Sequence, residues 1–268
     1  MEITVNGERI NTQQPSLFAL RDSLYSDSEI VAILNGFQTA EDLLLTENCE
    51  VVFIKKGVMP PPELLECMMA ARHTPGAHAR LKTAAVAVAG LGGLGSSIAL
   101  NLARIGIGRL HLVDFDIVEP SNLGRQQYRI KHLGQAKTEA LAGEIAEINP
   151  YVKIKIDTMR VIETNAAGLF QNDPIVCEAF DNPADKAMLV NTLLRQCPQV
   201  TIVAASGLAG FGSGNEIRTR KINRRLYLCG DENSAARVGC GLMSPRVSIC
   251  AGHQANMVLR LILDESAA

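Results

Sequence analysis

Apolar residues from position 84 onward fall into short runs that alternate with segments of helical periodicity. The runs at 84–89 and 110–113 have the length of buried parallel strands. Between them, Ile98, Leu102 and Ile105 recur at the spacing of one helix face. The same alternation predicts helices at 137–148, 183–197 and 244–263 and strands at 152–156, 174–180 and 201–205. Strands alternating with helices predict an α/β domain with a mostly parallel sheet covered on both faces.

The first sixty residues follow a different pattern. Residues 2–10 alternate in polarity around Asn6-Gly7, which is a strong hairpin signal. A helix is predicted at 16–25 and strands at 30–34 and 51–54. This order of strands around one helix predicts a small β-grasp unit.

Three successive prolines at 60–62 form a stiff break, and a helix is predicted at 63–73. We therefore expect a β-grasp domain at 1–58, a linker and helical arm at 59–83, and the larger domain at 84–268.

Composition narrows the functional classes. The 268 residues are 47% hydrophobic, which is enough for a sizeable core. A formal net charge of -2 and the lack of tryptophan favour neither a nucleic-acid partner nor a base-stacking surface. The seven cysteines include no C-x-x-C pair, so neither a disulfide framework nor a zinc site is expected. Free thiols, a start unlike a signal peptide and the lack of a spanning apolar run predict a cytoplasmic protein without a membrane partner.

A glycine turn lies between the first predicted strand and helix of the larger domain. Gly90, Gly92 and Gly95 fit G-x-G-x-x-G, and Asp114 follows the next strand. Such a turn brings backbone N–H groups and a helix N-terminus against a phosphate, and the acid binds ribose hydroxyls. The pattern predicts nucleotide binding, although NAD enzymes, flavoproteins and ATP-binding folds all share it.

The residues after Asp114 favour ATP over a nicotinamide. Release of pyrophosphate requires fixed cations and donors, which Arg125, Lys137 and Asn122 can supply. Asp181 ends a predicted strand, where a magnesium ligand is well placed. Taken singly, Arg125 and Lys137 are typical surface charges, Asp114 a turn cap, and Asp181 part of a helix N-cap.

Four segments in order, GLGGLGS, LVDFDIVEPSNLGRQQY, GQAKTEA and EAFDN, resemble the ThiF/MoeB family over about residues 72–263. The short length is most similar to the shorter class of ThiF. Residues 1–58 resemble ThiS, a ubiquitin-like sulfur carrier. The resemblance implies a Rossmann-like adenylyltransferase domain at 84–268, preceded by a ubiquitin-like β-grasp domain.

The resemblance also implies roles for individual residues. Asp114 would hold the ribose, Asp181 a magnesium ion, and Arg72 would act across a homodimer interface. Lys137 matches the lysine of a family Pro-Lys pair, with Ala136 in place of the proline. The glycine turn would receive the phosphates of ATP. The remaining nucleotide-binding positions that the resemblance implies are Gly90, Gly92, Gly93, Gly95, Asn122 and Arg125.

The implied reaction is adenylation of the C-terminal Gly-Gly carboxylate of a ThiS-like carrier in thiamine (thiazole) biosynthesis. That carboxylate is ionised at neutral pH, so no general base is required. Here the ThiS-like segment runs through Gly57 into the prolines and has no Gly-Gly end. The fused domain is therefore not itself a working carrier, and the carrier partner is expected to be separate.

Other hypotheses stay open. The same chemistry would serve a carrier of molybdopterin, amino-acid or secondary metabolism. A nicotinamide-dependent oxidoreductase would leave Asn122, Arg125 and Lys137 unexplained. A non-catalytic binding module is disfavoured by the intact glycines and by Asp181.

Two further features have more than one interpretation. Cys240 lies near the region where some ThiF relatives use a cysteine, but buried structural thiols are commoner. A basic run is either a solvated face or a docking strip for an acidic carrier, and comprises Arg218, Arg220, Lys221, Arg224 and Arg225.

Overall fold

The computed structural model describes residues 1–26 and 29–264. The chain divides into two compact units, Met1–Ala79 and Arg80–Ala268. The predicted linker at 59–83 is thus largely part of the first unit. None of the helices in the described ranges is long and apolar enough to cross a membrane.

The first unit is built on a five-stranded sheet, counted over the described residues, with the order β2-β1-β5-β3-β4. Strands β1 and β5 are parallel and the other neighbours are antiparallel. This architecture confirms the predicted β-grasp fold. Its elements are β1 (Glu2–Val5), β2 (Glu8–Asn11), α1 (Leu17–Leu24), β3 (Ile30–Leu34), β4 (Phe37–Thr39), β5 (Glu50–Lys55) and α2 (Pro62–Ala70).

Asn6-Gly7 forms the predicted hairpin turn between β1 and β2, and Asn35-Gly36 forms a second one between β3 and β4. Asn6 and Gly7 have φ values of 50° and 85°, and Asn35 and Gly36 have φ values of 49° and 81°. Tight two-residue turns of this kind require positive φ at both positions, which asparagine and glycine adopt most readily.

Each face of the small sheet is covered by one helix. On one face Leu17 and Leu20 of α1 are buried in a core with Phe53. On the other face Cys67 and Met68 of α2 pack against a cluster that contains Ile33, Val52 and Ala71. Because α2 buries apolar surface of the sheet, the chain after the prolines is structural and does not act as a free linker.

The second unit contains a seven-stranded sheet in the described residues, with the order β11-β12-β10-β9-β6-β7-β8. All neighbours are parallel except β11 and β12. The elements are α3 (Ala77–Thr83), which contains the point of division, β6 (Ala85–Ala89), α4 (Gly93–Arg104), β7 (Arg109–Val113), α5 (Lys137–Ile148), β8 (Lys153–Asp157), α6 (Glu163–Phe170), β9 (Ile175–Glu178), α7 (Pro183–Gln196), β10 (Thr201–Ala205), β11 (Arg218–Asn223), β12 (Leu226–Gly230) and α8 (Ser244–Ile262).

Alternate residues of the central strand β6 enter two different cores. Val86 and Val88 pack with residues of α4, α5 and α8, whereas Ala87 and Ala89 pack with residues of α6 and α7. The sheet is therefore covered on both faces, as predicted. The chain leaves β6 towards β7 on one side and reaches β9 on the other. Ligands of such sheets bind at the carboxyl ends of the strands beside this reversal of order.

Candidate active site

A cleft of about 800 Å³ lies in the second unit at the carboxyl ends of the parallel strands. It gathers residues from the loops after β6, β7, β9, β10 and β12. Eight of the residues predicted from the sequence line it, namely Gly90, Gly92, Gly93, Asp114, Asn122, Arg125, Lys137 and Asp181.

The glycine turn joins β6 to α4 with little room for side chains. Gly90 has a φ of 88°, and a Cβ there would lie 2.8 Å from the Phe180 ring. A Cβ on Gly95 would overlap the Gly90 carbonyl oxygen. Gly95 thus lies behind the turn and permits its close packing on α4, whereas Gly92 and Gly93 line the cleft.

Both backbone polar groups of Leu91 are hydrogen-bonded to side chains. Its N–H donates to Asp114 Oδ2 at 2.6 Å, and its carbonyl accepts from the Tyr128 hydroxyl at 2.8 Å. Burial raises the pKa of Tyr128, so this hydroxyl keeps its proton as a donor. These two bonds fix the position of the turn beside the cleft.

Asp114 is both a turn cap and a cleft residue. Its Oδ1 accepts from the N–H of Asp116 at 2.8 Å, in addition to the bond from Leu91. Burial raises the pKa of Asp114, while the Lys137 cation and the two backbone N–H groups oppose that rise. A carboxylate has about four acceptor sites, so the capping bonds leave capacity for ribose hydroxyls.

Lys137 is the first residue of α5, and its ammonium is directed by a residue with no predicted role. Lys137 Nζ lies 2.8 Å from Asp116 Oδ2, and both side chains line the cleft. The backbone N–H of Lys137 also donates to the Asp116 carbonyl at 3.0 Å. Asp116 therefore positions the start of α5 and its charge together.

The segment 119–126 supplies polar groups to the same cleft. Asn122 Oδ1 accepts from the N–H of Glu119 at 3.0 Å, which fixes the short 3-10 helix Pro120–Asn122. Arg125 donates one N–H to the Ser121 carbonyl at 3.0 Å, leaving further guanidinium donors for an anion. Gln126 is 7% exposed, lines the cleft, and its Oε1 accepts no bond from the described residues.

Asp181 lines the cleft, whereas its neighbour Asn182 caps helix α7. The helix cap of α7 is Asn182, whose Oδ1 accepts from the N–H groups of Ala184 and Asp185. The Asp181 side chain is exposed in the cleft. Over residues 1–26 and 29–264, no group of three or more His, Cys, Asp or Glu could hold a metal ion. Magnesium is commonly held by one or two carboxylates plus substrate phosphates, and Asp181 fits that mode.

The structure adds Phe115, Arg160 and Lys186 to the lining of the cleft. Phe115 is 54% exposed, and the Arg160 guanidinium lies 5.3 Å from its ring centroid. Lys186 donates to the buried carboxylate of Glu178. Phe115 could have been predicted to line the cleft, because it directly follows Asp114 in the sequence. Arg160 and Lys186 reach the cleft through tertiary packing, which leaves no local signal.

The other candidate residues lie elsewhere. Arg72 belongs to the first unit, where its guanidinium donates to Gln38 Oε1. Cys240 closes a tight turn with Arg237 and is half-buried. In the basic run, Arg225 donates to the carbonyls of Leu194, Cys197 and Val200, so its role is structural.

Comparison with known proteins identifies the families to which both parts of the chain are similar. The ThiF family matches residues 67–268, and a ThiS-like ubiquitin family matches residues 1–57. The chain is 32% identical to the molybdopterin-synthase adenylyltransferase of Salmonella typhimurium over 188 residues, which are 68% of this chain and 74% of that protein. It is 36% identical to the probable adenylyltransferase/sulfurtransferase MoeZ of Mycobacterium tuberculosis over 111 residues. That match spans 41% of this chain and only 28% of MoeZ.

Solved structures share the fold of the second unit. E. coli tRNA N6-threonylcarbamoyladenosine dehydratase TcdA, in complex with ATP, superposes with a TM-score of 0.68 at 22% identity, covering 78% of this chain and 99% of that chain. E. coli MccB superposes with a TM-score of 0.56 at 21% identity, covering 76% of this chain and 63% of that chain. With the family match over most of its length, the chain belongs to the ThiF family and carries a ThiS-like ubiquitin domain at its N-terminal end.

Proposed function

We propose that this protein is an ATP-dependent adenylyltransferase acting on the C-terminal Gly-Gly carboxylate of a separate ThiS-like sulfur carrier. The observation that carries the proposal is the convergence of the glycine turn, Arg125, Lys137 and Asp181 on one cleft. Two cations and one carboxylate beside a glycine cradle suit a triphosphate that must lose pyrophosphate.

Nucleotide binding in this proposal uses the groups already fixed by the fold. Gly92, Gly93 and the N-terminus of α4 receive phosphates, because backbone N–H groups there have no side chain in front of them. Asp114 binds the ribose hydroxyls with its remaining acceptor capacity. Asn122 adds a neutral donor close to Arg125.

The carrier carboxylate attacks the α-phosphorus in line, and the bond from that phosphorus to the bridging oxygen of pyrophosphate breaks. The products are a carrier acyl-adenylate and pyrophosphate. Arg125 and Lys137 stabilise the charge that develops on the leaving group, and the carboxylate is already ionised. A magnesium ion held by Asp181 would supply further charge neutralisation on the phosphates.

Two finer points belong to the same proposal. The enzyme acts as a homodimer, with Arg72 contributing a positive charge across the interface. The carrier belongs to thiazole synthesis for thiamine, for which the support is the ThiS-like character of the fused domain.

The fused ThiS-like domain is a pseudo-carrier in this proposal. Strand β5 ends at Lys55 and the chain continues through Gly57 to α2, so no terminal carboxylate is available. It therefore mimics, guides or blocks the true carrier without being activated. Intact-mass measurement after incubation with magnesium, ATP and carrier should detect an AMP adduct on the carrier and none on this chain.

The main test is carrier-dependent ATP–pyrophosphate exchange with ThiS ending in Gly-Gly. Asp181→Ala and Arg125→Ala should abolish exchange. Arg129→Ala is the matched control, because Arg129 pairs with Glu144 outside the cleft. Exchange with a different Gly-Gly carrier, but not with ThiS, would assign the enzyme to another pathway. Absence of exchange with every such carrier, despite ATP binding, would refute the proposal.

A further inference from the structure

Part of the cleft lining has a chemical character unlike that of the nucleotide-binding residues. We call residues 206–209 and 232–236 the loop wall. Its side chains include no cation and are mostly small or short, among them Gly207, Ala209, Ala235 and Ala236. Triphosphates favour cationic surroundings, whereas small side chains leave space for an extended peptide. This wall is therefore suited to the acceptor and not to ATP.

Asp231 joins the two segments of the loop wall. Its Oδ1 accepts from the N–H groups of Asn233 at 2.9 Å and Ser234 at 2.8 Å. Its own N–H donates to the Gly207 carbonyl at 2.9 Å. A Cβ on Gly207, whose φ is 77°, would overlap the Asp231 carboxylate. The contact thus depends on glycine at 207 and on a carboxylate at 231.

Arg246, in the first turn of α8, forms an ion pair with the Asp231 carboxylate. Its guanidinium is 3% exposed, donates to Asp231 Oδ2, and donates to the Ser213 carbonyl at 2.7 Å. Glu216 is an outer partner at 3.5 Å and is 62% exposed. One buried cation therefore links α8 to both loops that form the wall.

The Asp231 carboxylate remains charged across the neutral range. Burial alone would raise its pKa, but bonds from Ser234, Asn233 and Arg246 outweigh this effect and lower the pKa to about 2. The bond to Arg246 is thus a charge-assisted one, which is stronger than a neutral hydrogen bond.

We infer that Asp231 and Arg246 are positioning residues that hold the loop wall in the shape required by the carrier's C-terminal tail. This inference rests on the proposed function. In the described part of the chain, the side chains of Asp231 and Arg246 form no hydrogen bond or ion pair with the nucleotide-binding positions named above. Their loss should weaken binding of the carrier while ATP binding is retained.

The kinetic test compares Asp231→Asn, Arg246→Ala and Arg246→Lys with Glu216→Gln as the matched control. In Asp231→Asn and Arg246→Ala we expect the KM for the carrier to rise by about tenfold, as for loss of one charge-assisted hydrogen bond. The KM for ATP should stay within about twofold, Arg246→Lys should recover part of the loss, and Glu216→Gln should match the unmodified protein. An equal rise of both KM values would overturn the inference.

Hydrogen–deuterium exchange tests the anchoring independently of turnover. Amides of the loop wall should exchange faster in Asp231→Asn than in Glu216→Gln, with β6 and β9 unchanged as internal controls. Equal hydrogen–deuterium exchange of the loop-wall amides in the two variants would overturn the inference, even if the adenylation activity is established. Absence of ATP–pyrophosphate exchange with any carrier would instead refute the proposed function and, with it, the role in carrier binding.

Discussion

Lys186 donates to both carboxylate oxygens of Glu178, at 3.0 Å and 2.9 Å. Glu178 ends β9 with its side chain 1% exposed, and Lys186 lies in the first turns of α7. Glu178 Oε1 also accepts from the N–H of Phe180 at 2.7 Å. The pair therefore spans the turn that carries Asp181 and ties its two ends together.

We expect Lys186→Met to destabilise the protein by about 3 kcal/mol, because it leaves a buried carboxylate without its counter-charge. Burial already raises the pKa of Glu178, and Lys186 opposes that rise. In the variant the folded state binds this proton more tightly than the unfolded state does. The free energy of unfolding should therefore fall as pH rises above the pKa of glutamate in the unfolded chain, about 4.3. Urea denaturation at several pH values measures both effects.

The control for this prediction is the double variant Glu178→Gln, Lys186→Met. It has no buried charge to leave unpaired, so it should be more stable than Lys186→Met at neutral pH and should lose the pH dependence. A double variant as unstable as the single variant would contradict the electrostatic explanation.

An added methyl group should mainly weaken ATP binding at Gly92 and mainly lower the stability of the fold at Gly95. In Gly92→Ala the added Cβ would lie 3.9 Å from Gln126 Nε2, which is ordinary van der Waals contact. The change should therefore cost only about 1 kcal/mol of stability, as a helix-cap substitution. Its methyl group faces the cleft and should weaken ATP binding by about tenfold or more. Gly95→Ala overlaps the Gly90 carbonyl and should cost about 3 kcal/mol or more. Thermal unfolding and ATP titration calorimetry separate the two outcomes, and similar profiles for the pair would contradict them.

Lys137 and Asp116 allow the charge of the lysine to be separated from its pairing. Lys137→Ala should slow ATP–pyrophosphate exchange by about 10²–10³-fold, because a preorganised cation is lost. Asp116→Asn keeps the ammonium and a polar partner, so its loss should be smaller than about tenfold. Equal losses in the two variants would show that the ion pair as a unit, and not the cation, carries the effect.

Arg225 and its neighbour Arg224 test which member of the basic run is structural. Arg225 donates at 2.7–3.2 Å to three carbonyls at and beyond the end of α7, where helix carbonyls lack partners. Arg225→Ala should lower the free energy of unfolding by about 2 kcal/mol. Arg224→Ala, an exposed position, should change it by less than about 0.5 kcal/mol. Urea denaturation of the two variants is the measurement, and equal effects would count against the capping role.

The parts of the fold with strong local signals were predictable. Helix Lys137–Ile148 and strand Thr201–Ala205 have the bounds that the apolar pattern predicts, and Asn149 and Pro150 follow the helix directly. Helix α6 was not predicted, because only Ala166 and Phe170 of its eight residues are buried and its periodicity is weak. Strand β11 was not predicted and its residues were noted only as a basic run, since its pairing with β12 depends on a turn at 224–225 with no glycine.

The candidate site divides in the same way. The cleft-lining residues of the glycine turn and of the segment 114–137 were predictable, because they lie in short motifs that can be found along the chain. Asp231 and Arg246 were not, because they are brought together with Ser206–Gly207 only when β10, β12 and α8 pack. Their significance lies in hydrogen bonds between distant segments, which no local pattern encodes.

Both outer strands of the large sheet carry exposed cations. Lys153 and Lys155 lie on β8, and Arg218 and Arg220 lie on β11, which also has an irregularity between Lys221 and Asn223. Unpaired strand edges are templates for aggregation, and like charges with a distorted register discourage such pairing. Pairing of two copies through the same edge strand would bring these cations together, which disfavours edge-to-edge association.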